Sequence, residues 1–240
     1  MNTKKKIISI CLAVCLIAIA VTGFSLAYFT DNDSKTNTFT VGNVDIELVE
    51  PTWEQNDNYA ASSDDANGGL TNVQPGVAYT KDPTVNNIGT NDAYIRVNVT
   101  LTKANAFIAA AERHGITDLS SIFLGHDESK WTRETITEDK EADTITYSYY
   151  FNDVLPGTLA ALATPAPSAS DEIIPSSTGA LFTSVKIPYQ FTSEDMANIR
   201  EFEIIITADA IQAEGFADVE AAFTAFDAQV KYEAGLEAED

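Results

Sequence analysis

Between Ile95 and Thr102 apolar and polar residues alternate without a break, Ile95, Val97, Val99 and Leu101 against Arg96, Asn98, Thr100 and Thr102. Successive side chains of an extended strand point to opposite faces, so this period of two describes a strand with one face in a core and the other in water. A helix would scatter the same apolar residues around its axis. The period returns at Ile145, Tyr147, Tyr149 and Phe151, at Leu181, Val185 and Ile187 with Thr183 in phase, and at Phe202, Ile204 and Ile206. Phe39 and Val41 alternate, then Val44, Ile46 and Leu48 alternate in the opposite phase. Gly42-Asn43 sits at that change and reads as a turn or bulge. Several half-buried strands, joined by polar connections and lacking a strand–helix–strand rhythm, predict an antiparallel β-sandwich.

Two helices are expected beside the strands. Asn105 to His114 is alanine-rich and stops at Gly115, a residue type suited to the position after a helix. Phe216, Val219, Phe223, Phe226 and Val230 recur at helical spacing, which places a helix over 216–232 with one apolar stripe. Such a stripe is expected to pack on the sandwich, since apolar stripes mostly face cores. Residues 50–69 are polar and acidic, and 156–175 are rich in Ala, Pro and Ser without periodicity; both are expected as long loops. Residues 233–240 read as an acidic tail.

The amino terminus reads as an export address. Lys4-Lys5-Lys6 precede an apolar run from Ile7 to Val21, and Ser25-Leu26-Ala27 place small residues at the –3 and –1 positions of a cleavage site between Ala27 and Tyr28. That is the pattern of a secretory signal peptide. Uncleaved, Ile7 to Ala27 is long enough to span a bilayer, so any membrane association is expected through this segment alone. Cleavage removes 27 of 240 residues, three of them lysine and none acidic, so the net charge moves from –22 to –25 over 213 residues. Cys11 and Cys15, the two cysteines, go with it. The exported domain therefore depends on its core, and thiol chemistry is excluded from it. An acid excess of this size argues against nucleic acid, whose phosphates require a basic face, and against anionic lipid.

A resemblance narrows the function. After cleavage the chain starts Tyr28-Phe29-Thr30-Asp31 and continues Thr38-Phe39-Thr40-Val41-Gly42-Asn43-Val44-Asp45-Ile46. Further on stand Gln74-Pro75-Gly76, Asp82-Pro83-Thr84-Val85-Asn86-Asn87-Ile88-Gly89 and Ala93-Tyr94-Ile95-Arg96-Val97. These phrases resemble the TasA/camelysin family, exported proteins of Gram-positive bacteria processed by a SipW-like signal peptidase. The resemblance covers residues 1 to about 102, with a looser echo over 208–214. It implies a jelly-roll-like β-sandwich, and for TasA-like members a subunit of biofilm-matrix fibres. In such fibres the N-terminal segment of one subunit completes the sheet of the next. Here that donor segment would be Tyr28 to Val41, with apolar anchors at Phe29, Phe39 and Val41. The expected partners are other copies of the chain and, during export, the signal peptidase. A monomeric exported module that binds a surface partner is the second reading.

Camelysins carry a metalloprotease label, which makes that activity the third reading. A zincin sets two His one helical turn apart with a Glu between them. This chain has His114 and His126, without an HExxH motif, and Glu112 and Glu128 are the carboxylates beside them. The expectation is no enzyme, no catalytic residue and no resident metal or cofactor. Weak cation binding is the remaining alternative, at Asp31, Asp33, Lys35 and Asn37 or at Asp57, Asp64, Asp65 and Asn67. The first set lacks the Gly and Glu that an EF-hand loop needs at positions six and twelve.

Overall fold

The computed structural model describes residues 43–54, 72–158 and 175–233. The expected signal and donor positions Ala27, Tyr28, Phe29, Phe39 and Val41 lie outside the described residues, as do both cation-binding sets. Among the described residues no helix is long and apolar enough to cross a membrane.

Ten strands carry the fold: β1 (Ile46–Val49), β2 (Ala78–Thr80), β3 (Thr84–Asn87), β4 (Ala93–Thr102), β5 (Phe123–Leu124), β6 (Trp131–Asp139), β7 (Thr144–Phe151), β8 (Ser176–Ala180), β9 (Ser184–Lys186) and β10 (Ile204–Gln212). They form three sheets, ordered β10-β4-β7-β6, β1-β3-β8 and β2-β9-β5, and every strand pair is antiparallel. The fold is mainly β, as the alternation predicts. Ile95, Val97, Val99 and Leu101 of β4 are at most 1% exposed. Each contributes roughly 1.5–3 kcal/mol of burial. They share one core with Val85 of β3, Ile145 and Tyr147 of β7, and Phe123, Phe182 and Val185 from the neighbourhood of the smallest sheet.

Register fixes which side chains meet. Val99 of β4 lies opposite Ile206 of β10 and Tyr147 of β7, so their core faces coincide. Thr100 then lies opposite Ile205 and Thr146 on the outer face. A one-residue slip would exchange these faces and expose the core set.

Four helices flank the strands: α1 (Pro51–Glu54), α2 (Ala104–Arg113), α3 (Ser193–Asn198) and α4 (Val219–Glu233), with a 3-10 turn at Leu119–Ile122. Helix α2 starts after Lys103, which adopts a left-handed φ of 58° and offers no side-chain cap. Asp143 supplies the cap: its carbonyl accepts from Ala104 N–H and its carboxylate from Asn105 N–H. The β6–β7 connection therefore sets the start of α2. Phe107, Ala110 and Ala111 face the core, and Gly115 follows the helix at φ 70°.

Several expectations need correction. The single strand through Leu181, Val185 and Ile187 is two strands in different sheets, β8 and β9. The chain changes sheet at Leu181–Thr183, where Leu181 N–H bonds Pro83 C=O and Thr183 N–H bonds Leu124 C=O. Leu181 and Phe182 are both buried, which strict alternation does not foresee. Phe202 precedes β10 and packs edge-on against Phe107 at 5.2 Å between ring centres. The expected helix 216–232 starts at Val219 instead, with Asp218 capping Ala221 N–H, and Phe216 lies before it. The stripe also fails at its end, because Val230 is exposed. Glu233 belongs to this helix rather than to the acidic tail. The expected loop 50–69 contains α1, and 156–175 is pinned at its start, where Gly157 N–H bonds Asp92 and Thr158 bonds Gly89 C=O. Strand β6 and helix α3 have no counterpart in the sequence expectations.

Candidate assembly interface

Closing no barrel, the sheets leave edges. In the four-stranded sheet these are β10 and β6, and in the first three-stranded sheet β1 and β8. Strand β6 is held at one end by Trp131, 1% exposed and edge-on to Phe151 at 5.2 Å. The other eight residues of the strand are exposed. Its register breaks between Arg133 and Thr135, and Arg133, Glu134, Glu138 and Asp139 place charges along it. A bulge and charges are the usual protection of an edge against indiscriminate pairing.

The β1 edge is built differently. Asn43 C=O accepts from Thr90 and Asn91 N–H at 3.0 and 3.2 Å, and Asp45 C=O accepts from Ile88 and Gly89 N–H at 3.0 and 2.9 Å. Thr90 Oγ1 returns a bond to Asn43 N–H at 3.0 Å. This clasp requires the backbone of Gly89 to approach closely. A Cβ there would stand 2.7 Å from Asn43 C=O and 2.5 Å from Asp45 N. Asn87, fully buried, fastens the turn from inside, donating to Asn91 and Leu155 C=O and accepting from Gly89 N–H. The chain preceding Asn43 thus joins the domain at an edge strand, without threading the core.

The outer face of the four-stranded sheet carries a second polar construction. Arg96 of β4 bonds Asp209 of β10 through Nε at 3.0 Å and grips Asp227 of α4 with both terminal nitrogens at 2.9 Å. Its guanidinium lies 4.6 Å from the ring centre of Phe223, and Phe223 stacks on Tyr150 of β7 at 5.3 Å. The two carboxylates hold Arg96 protonated against the opposing effect of burial, which on its own would favour loss of the charge. Helix α4 therefore covers one half of this face, with Ala222 and Phe223 fully buried beneath it. That agrees with the expectation that its stripe packs on the sheet.

The histidines are separated in role. His114, at the end of α2, bonds the carboxylate of Asp195 through Nε2 at 2.9 Å. Asp195 is 2% exposed and pairs with Arg113 as well. It also accepts from Thr192 N–H and Oγ1, both at 2.8 Å, closing a capping box at the start of α3. These donors, Arg113 first, hold the Asp195 carboxyl well below the usual range. His126 follows β5, its ring centre 5.1 Å from that of Tyr149, and desolvation lowers its pKa. Nε2 of His126 and Nε1 of Trp131 are buried without a hydrogen-bond partner. Glu112 and Glu128 are exposed. Among the described residues no group of three or more His, Cys, Asp and Glu forms that would hold a metal ion. Asp195 is the residue that the sequence reading overlooked, although Thr192-Ser193-Glu194-Asp195 has the spacing of a capping box.

Fold and edges together define a mainly β protein of antiparallel sheets with exposed sheet edges. No family model, no curated protein and no solved structure matches this chain.

Proposed function

We propose that the chain is a secreted structural protein, a TasA-like subunit of biofilm-matrix or cell-surface fibres from a Gram-positive cell. In this reading a SipW-like signal peptidase cuts between Ala27 and Tyr28, and the domain is a jelly-roll-like sandwich. Copies join when the segment Tyr28 to Val41 of one lies along a sheet edge of the next, with Phe29, Phe39 and Val41 as anchors. The observation that carries the reading is the position of β1. It is an edge strand, and the segment 28–41 runs directly into it. A segment attached at an edge can leave for another molecule without opening the core. An open edge offers unpaired N–H and C=O groups that an extended segment satisfies. Cleavage before Tyr28 would free the segment only after export, which confines assembly to the outside of the cell.

The experiment is electron microscopy of protein beginning at Tyr28, with and without residues 28–37, across salt concentrations. Filaments from the longer protein and none from the shorter are expected. Filaments that persist after the deletion would remove the donor segment from the account, and monomer under all conditions would favour the surface-binding module.

A further inference from the structure

Helix α4 leaves half of the outer face of the four-stranded sheet uncovered. Across that half the register aligns Ile205, Thr100, Thr146 and Thr137, one from each strand. Thr100 and Thr146 share a hydrogen bond of 2.8 Å between their hydroxyls. The adjacent row repeats the chemistry: Ser148 donates to Asn98 at 2.7 Å, and Asn98 donates on to Asp209 at 3.1 Å. The polar groups at the centre are thus largely satisfied by one another and turn little unmet hydrogen-bonding demand outward. Ile205 is 44% exposed beside them. No charged side chain stands in either of these rows, whereas Glu203 and Asp139 stand towards the rim.

In a chain of net charge –22, two copies repel each other over most orientations. The approach that costs least brings uncharged surfaces together. We propose that this uncovered half-face is a lateral contact between copies of the chain, sheet against sheet about a two-fold axis. The proposal rests on the self-association described above. With strands about 4.8 Å apart and a rise of about 3.4 Å per residue, the uncharged area is roughly 300–400 Å² per copy. A stable pairwise interface needs about 800 Å² per partner. The contact is therefore weak between single molecules and becomes effective when copies already stand in rows, where many act together. It would join neighbouring filaments rather than build one.

Cysteine cross-linking tests this. The chain from Tyr28 has no cysteine, so an introduced thiol is the sole one. Thr100→Cys, Thr146→Cys, Thr137→Cys and Thr207→Cys, made singly, are oxidised at about 0.15 M salt beside Thr117→Cys, a control outside the four-stranded sheet, and all are imaged by electron microscopy. Thr137 and Thr207 are exposed, so those two variants keep the test valid should the inner pair disturb the fold. Disulfide-linked dimers from at least one face position are expected to form on the order of tenfold or more faster than from the control. Filaments without faster cross-linking overturn the lateral face and leave the fibre reading standing. Faster cross-linking without filaments keeps the face and overturns the fibre. Slow cross-linking and no filaments overturn both.

Discussion

Replacing Phe223 with alanine should detach α4 while leaving the sheets folded. Phe223 is fully buried, stacked on Tyr150 and lying beside the Arg96 guanidinium. Truncating a buried Phe costs about 3–5 kcal/mol. The helix docks on one face of the sheet, and beyond Phe223 its contribution is Ala222, the partly covered Phe226 and the Arg96–Asp227 pair. The Asp227 side chain is 44% exposed, so solvent limits that pair to about 1 kcal/mol or less. The ring, not the charge, therefore holds the helix. Amide hydrogen exchange separates the two contributions, because it reads local opening apart from global unfolding. In Phe223→Ala the amides of α4 should lose protection by on the order of 10² to 10³-fold, while those of Val97 and Val99 in β4 change far less. Asp227→Asn should shift the α4 amides by no more than about fivefold. Equal effects from the two substitutions, or uniform loss across α4 and β4 in Phe223→Ala, would refute this reasoning.

Other outcomes follow from the same structure. Gly89→Ala places a methyl against the backbone of Asn43 and Asp45, and should cost about 1–3 kcal/mol in urea unfolding while loosening amide protection at the start of β1. Burial pushes the Tyr149 phenol up to about 12, and its neutral form is the one the fold favours. That stability is present below pH about 10 and is lost as pH rises through about 12, so ultraviolet titration should show phenolate appearing together with alkaline unfolding. The Asp195 carboxyl is shifted the other way, so its contribution is present above pH about 4 and is lost as pH falls below it. Asp195→Asn should flatten the acid limb of a Tm-against-pH curve, and an unchanged limb would refute the role of this group. Any filaments should form more readily with added salt, divalent cations or mild acid, since these weaken repulsion at net charge –25 after cleavage. Light scattering that peaks in low-salt neutral buffer would contradict that.

Period two exposed β4, β7 and most of β10 because each has one face in the core and one outside. It failed where that premise fails. Leu181 and Phe182 are consecutive and both buried, since the chain crosses there from one sheet to another and is covered on both sides. Strand β6 escaped because only Trp131 is anchored in the core, and an exposed edge strand leaves no apolar rhythm. The Arg96 cluster was invisible for another reason. Its partners stand 113 and 131 residues away, and only the pairing of β4 with β10 and the path of α4 bring them together. His114 and His126, the pair a zinc reading needs, are engaged instead by Asp195 and Tyr149, from opposite ends of the segment between α2 and β6.

The central claim is that the segment 28–41 docks on another copy. It is tested most directly by titrating a peptide of residues 28–41 into protein beginning at Gly42 and measuring the heat of binding. The account expects saturable binding near one peptide per protein, weakened when Phe29 and Phe39 of the peptide are replaced by alanine. No binding to a folded domain, or equal binding of the alanine peptide, would contradict it.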